Sequence, residues 1–142
     1  MSEQSEFFKK RTMSFSIAVL RLVDRLPRTT SGYVVARQLA RSATSVGANY
    51  RASCIARSRA EFIAKLGIVL EEVDESVYWL DLIATAGLHA ARDIQPLLAE
   101  ACELRAVFGK ALGTARLNSR ANNQIHTSAR IAMCGKLRYC SA

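Results

Sequence analysis

Five arginines between positions 37 and 59 carry the most chemistry in this sequence. Arg37, Arg41 and Arg51 fall on one face of a helix, with Thr44 and Ala48 between them, and Arg57 and Arg59 follow. A planar guanidinium offers a fork of donors that grips phosphate or carboxylate oxygens in pairs. At one-turn spacing such forks can track a nucleic-acid backbone, giving salt-dependent binding with little sequence preference. They can equally pair with carboxylates, and the run EEVDE (Glu71, Glu72, Asp74, Glu75) supplies those in a neighbouring copy of the chain. Both readings remain open, and the predicted nucleic-acid contacts are Arg37, Arg41, Arg51, Arg57 and Arg59. Aromatic platforms for stacked bases are scarce nearby, with Tyr33, Tyr50 and Tyr139 the only candidates.

Other chemistries find less support. Bundle metalloenzymes use Glu-x-x-His motifs on facing helices, whereas His89 falls in a connector and His126 near the end of the chain. The EEVDE carboxylates do not converge on one inward point, which favours a solvated face or salt bridges to arginines. A zinc site from His126, Cys134 and Cys140 lacks a fourth ligand and the usual close pairs. No G-x-S-x-G elbow or phosphate-cradling glycine loop is present, and no histidine is placed beside Cys54 or Cys102. The expectation is a protein without catalytic activity, cofactor or metal, whose four cysteines are free thiols.

Charge is unevenly distributed. Residues 1–60 hold eleven Lys/Arg against Glu3, Glu6 and Asp24, while residues 61–119 hold five bases against nine acids. Four more bases follow without an acid, which brings the chain to +8. Such asymmetry points to an anionic partner, or to head-to-tail self-association of unlike surfaces. The opening MSEQSEFFKKR has no apolar run with a small-residue cleavage site, so no secretory signal is expected. A bacterial-type cytoplasm is the expected setting. No apolar stretch is long enough to span a membrane.

The elements that must position these residues read as helices. Half of the 142 residues are hydrophobic, aromatics are few, and only Pro27 and Pro96 interrupt the chain. A first helix is predicted from about Glu6 to Leu26, with Phe8, Phe15, Leu22 and Leu26 inward and Ile17, Leu20 and Val23 widening the stripe. Pro27 stops it, and Thr30 or Ser31 can cap a second helix over Tyr33–Arg57. Ser58 and Glu61 have capping-box spacing at the start of a third. Phe62, Leu66, Val69, Val73, Leu80 and Ile83 form its seam, with Ser76 the one polar member, and Gly87 ends it. A fourth is predicted over Pro96–Arg116, with Asp93 as a possible cap and Leu97, Leu98, Ala101, Leu104, Val107, Phe108, Ala111 and Leu112 inward. The fold class is therefore all-α, an up-down-up-down four-helix bundle over residues 1–117, with a poorly ordered basic tail over 118–142.

The second helix, RQLARSATSVGANYRAS, has two further rows beside its arginines. Leu39, Ala43, Val46 and Tyr50 form an apolar row, and Gln38, Ser42, Ser45 and Asn49 a polar one. Small side chains let a neighbouring helix approach closely, and buried hydroxyls and amides need partners there. A tight helix–helix or subunit contact is the favoured reading, a polar ligand groove the alternative. Asn49 is expected to find its partner across the interface.

With these residues in hand, the chain resembles the four-helix-bundle family named after the intervening sequence of 23S ribosomal RNA, which extends to accessory variability proteins of diversity-generating retroelements. The resemblance is carried by RQLARSATSVGANYRAS and ARSRAEFIAKLGIVLEEVDESVYWLDLI and covers roughly residues 10 to 115. Gln38, Arg41, Ser42, Ser45 and Asn49 match the signature of the second helix, and Glu72, Glu75, Tyr78 and Trp79 that of the third. The resemblance implies a non-catalytic bundle assembling as a ring, usually a homopentamer. Retroelement members bind a reverse transcriptase and nucleic acid. Ala52 departs from the pattern, which usually has a glutamate there.

Overall fold

The computed structural model describes the backbone of residues 2–136 and the side chains of residues 2–121. Helix α1 spans Glu3–Val23, with Ser2 at its N-cap accepting from the Ser5 amide and Glu3 and Glu6 in its first turn. A capping oxygen satisfies one of the orphan amides of a helix start, and early acids complement its dipole. Helix α2 spans Thr30–Cys54. Its cap is Thr29, one residue earlier than the sequence indicates, and Thr29 Oγ1 accepts from the Gly32 amide at 3.1 Å. Gly32 is required by a close approach: a Cβ built there would stand 1.9 Å from the Pro27 carbonyl oxygen.

Helix α3 spans Arg59–Thr85 and is capped by Ser58, whose hydroxyl accepts from the Glu61 amide. Glu61 reaches back one residue further than in the standard box, accepting from the Arg57 amide at 2.8 Å. Gly87, at φ +64°, turns the chain out of α3; only glycine adopts that conformation without steric cost. Helix α4 spans Ala91–Lys136 and takes Pro96 into its second turn. It therefore starts before, and runs well past, the predicted Pro96–Arg116. No proline or glycine lies between Gly113 and Gly135, so nothing local stops it. Residues 118–136 of the expected tail continue this helix, and 137–142 lie outside the described residues.

Each helix packs on its neighbour in sequence, and α1 closes the ring on α4 with the thinnest of the four seams. The up-down-up-down bundle expected from the sequence is thus the observed fold. The predicted α3 seam is buried from Leu66 to Ile83 with Ser76 among its members, while Phe62 is half-buried. Leu39, Ala43 and Val46 of α2 meet it, with Phe15, Val19 and Leu22 of α1 and Ile94, Ala101, Leu104, Phe108 and Leu112 of α4. Burying one leucine among these stabilises by about 1.5–3 kcal/mol. Three predicted core members sit elsewhere: Ile17 and Leu20 are exposed on α1, and Ala111 on α4. The α1 stripe is narrower than predicted because its seam with α4 is thin.

Of the polar row of α2, Ser42 joins two helices. Ser42, fully buried, accepts from the Ser76 hydroxyl at 3.0 Å across the α2–α3 seam. On the other side Ser16 of α1 donates to the Ala43 carbonyl at 2.9 Å. Asn49 departs from expectation: its side-chain amide donates to the Ser45 carbonyl of its own helix, so it needs no partner across the seam. Among the described residues, no buried side-chain nitrogen or oxygen lacks a hydrogen bond.

Candidate nucleic-acid interface

The five predicted arginines do not form one surface. Because α2 turns about 100° per residue, Arg41 leans toward α3 and Arg51 toward α1. Arg41 donates through Nη1 to both carboxylate oxygens of Glu72 at 3.3 Å and through Nη2 to Glu75. Glu75 also accepts from the indole Nε1–H of Trp79 at 3.0 Å. The Arg41 guanidinium first, then the indole, holds the Glu75 carboxyl below the usual carboxylate range, and the same contact raises Arg41. Arg41 is therefore an α2–α3 clamp within one chain. Its side chain stays half exposed while it holds the two carboxylates.

Arg57 stands 3.5 Å from Glu61 with its side chain 91 % exposed, so the pair is loose and solvent-screened. Arg37, Arg51 and Arg59 are exposed and make no ion pair among the described residues. No acid at all occurs in α2. Arg51 faces the flank of α1 where Lys9 lies; Lys9 donates to Glu6 at 2.9 Å. That hydrogen bond first, with weaker help from Arg51 and Lys10, lowers the Glu6 pKa. Between the two helices runs a groove lined by Met13, Ile17 and Leu20 of α1 and Thr44, Ala48 and Arg51 of α2. The basic edge thus spans both helices. Sequence reasoning assigned it to α2 alone, because Ile17 and Leu20 were placed in the core; the i, i+4, i+7 spacing of Met13, Ile17 and Leu20 was the available signal.

The acidic run divides as well. Glu72 and Glu75 hold Arg41, Asp74 accepts from Arg105 of α4 at 2.8 Å, and Glu71 and Asp81 remain exposed without an ion pair among the described residues. Arg11 ties α1 to α4 through Glu100 at 2.6 Å and Glu103 at 2.6 Å. His89 is engaged with Asp93 at 2.9 Å. Cys54 and Cys102 are free thiols, whereas His126, Cys134 and Cys140 lie outside the described side chains. No group of three or more His, Cys, Asp or Glu among the described residues is arranged to hold a metal ion. No described helix is long and apolar enough to cross a membrane.

Comparison with known proteins agrees with the four-helix fold. The crystal structure of a protein with unknown function from the S23 ribosomal protein family of Bacteroides thetaiotaomicron superposes with a TM-score of 0.68 at 30% sequence identity. The match covers 73% of this chain and 96% of that one. A search of curated proteins finds no match. The sequence model of the 23S rRNA-intervening sequence proteins matches residues 5–110, which takes in the Arg41, Glu72, Glu75 and Trp79 clamp. This chain belongs to the 23S rRNA-intervening sequence protein family.

Proposed function

We propose that the protein is a non-catalytic, self-associating four-helix bundle that holds the backbone of RNA or DNA on the outer side of α1 and α2. The observation that carries this reading is that Arg37 and Arg51 of α2 and Arg59 at the start of α3 are exposed without ion pairs among the described residues, and that α2 contains no acid. Cations already bound to carboxylates gain little from a phosphate; unpaired ones release counterions and gain affinity at low salt. In this reading the bundle serves beside an enzyme that works on nucleic acid, such as a reverse transcriptase, and acts in the cytoplasm. Anisotropy titrations with RNA and DNA across a salt series test it. Log affinity should fall linearly with log salt, and Arg37→Glu with Arg51→Glu should flatten the slope. Salt-independent binding, or none at low salt, overturns it.

A second reading, a scaffold whose charges serve only self-assembly, is favoured by a different observation. Met13, Ile17 and Leu20 are exposed beside basic residues, and on α3 Ile68 and Tyr78 are exposed beside Glu71 and Asp81. These faces differ in charge and share apolar centres, so copies can join head to tail, and such contacts close into rings when the rotation permits. The pentamer implied by the family resemblance is one such ring. Light scattering on the parent and on Ile17→Glu decides: a strict monomer sinks the assembly, and a variant that loses subunits identifies the face.

A further inference from the structure

At one end of the bundle all four helices contribute to a cavity of about 500 Å³ that runs out beside the exposed Ser2 and Gln4. Phe8 of α1, Tyr50 of α2, Phe62 of α3 and Phe108 and Ala111 of α4 are among its walls. Three of the rings already pack together: Tyr50 and Phe108 have centroids 5.2 Å apart, Phe8 and Phe108 5.7 Å, and Phe8 and Tyr50 6.1 Å. The volume is in the range of small-molecule sites and exceeds what one flat heteroaromatic ring requires. A core gap lined only by aliphatic side chains would carry no such preference for a π-face.

The charges at this end are mostly basic. Arg51 follows the wall residue Tyr50, and Arg57 and Arg59 follow the wall residue Ala56 across the α2–α3 connector. The nearby acids Glu6 and Glu61 are engaged by Lys9 and by Arg57 and Lys65 respectively. Glu3 is the remaining acid there.

We infer that this cavity accepts one unstacked nucleobase of a single-stranded nucleic acid, whose flanking phosphates meet Arg51 and Arg59. The inference rests on the nucleic-acid reading above and narrows it to a strand class. Stacking on aromatic rings tolerates any base, because each has a π-face, whereas a duplex must first unpair and unstack one. Tyr50, a candidate platform already in the sequence, is joined in the fold by Phe8, Phe62 and Phe108.

The experiment compares a short DNA strand containing one fluorescent purine analogue, its RNA counterpart and the same DNA as a duplex, all at one low salt concentration. Either single strand should bind more tightly than the duplex, with a change in analogue fluorescence on binding. Ala111→Trp, at an exposed wall position, should fill the cavity, remove the fluorescence change and cost single-strand affinity roughly five- to a hundredfold. Duplex binding and its salt slope should be unaffected. Ala56→Trp blocks the cavity from the connector side and should do the same if Ala111→Trp fails to fold. Equal binding of strand and duplex, or single-strand affinity unchanged by both tryptophans, overturns the base site and leaves the backbone reading standing. So does a change of subunit number in either variant, which would assign the cavity to a second copy. Absence of binding to all three probes overturns both readings.

Discussion

Ser42 and Ser76 hydrogen-bond hydroxyl to hydroxyl at 3.0 Å, both fully buried, where α2 and α3 come together. Each also reaches a carbonyl of its own helix, Leu39 for Ser42 and Glu72 for Ser76. The seam is close because both positions are small. Ser42→Ala should cost about 1 kcal/mol, since Ser76 keeps its carbonyl acceptor, whereas Ser42→Leu should cost about 1–3 kcal/mol by overpacking. Urea denaturation of the three proteins checks this. A leucine variant as stable as the alanine variant would mean the seam is looser than these distances state.

Gly32 and Gly67 make opposite predictions for the same substitution. A Cβ at Gly32 collides with the Pro27 carbonyl, while one at Gly67 has nothing within 4 Å. Gly32→Ala should therefore lower stability by roughly 1–3 kcal/mol. Gly67→Ala, in the middle of α3, should raise it by about 0.5–1 kcal/mol. Thermal melts of the pair read the difference directly.

The arginines of α2 should separate into two phenotypes. Arg41→Glu opposes Glu72 and Glu75 and should lower the melting temperature. Arg37→Glu touches no ion pair among the described residues and should leave it nearly unchanged while weakening nucleic-acid binding. If both variants melt alike, Arg41 is not the clamp described above.

Acid should loosen the α2–α3 clamp. Arg41 and the Trp79 indole lower the folded-state pKa of Glu75 below its unfolded value. Its contribution is complete above the unfolded carboxylate pKa and disappears as pH falls through the lower folded value. Stability measured by Trp79 fluorescence should decline across that acid window, and Glu75→Gln should decline less steeply. An unchanged acid limb in the variant would place the pH dependence on another carboxylate.

What could be read from sequence was whatever local spacing determines. The Ser58 cap and the seam Leu66, Val69, Val73, Ser76, Leu80, Ile83 follow from a period and a capping pattern, and both are where they were expected. Ile17 and Leu20 were misplaced because periodicity does not say how wide a face of the helix its neighbours cover. The intrachain pairing of Arg41 was illegible for a related reason: a row of like residues curves around the helix, and only the position of α3 decides which members meet its carboxylates. The cavity was beyond sequence altogether, because Phe8, Tyr50, Phe62 and Phe108 are brought together by tertiary packing alone.

The thin seam between α1 and α4, closed by Arg11 on Glu100 and Glu103, sets an order of opening. Helix α3 is packed on both flanks and should hold its amide hydrogens against exchange until the whole chain unfolds. Helix α1 is held chiefly by α2, with Phe8 on Phe108 and one charged clasp reaching α4, so its amides should exchange first through a partial opening. Added salt should speed that event, since it screens the clasp more than it weakens apolar contacts. The bundle should thus behave as a stable three-helix unit with a first helix whose attachment weakens as ionic strength rises.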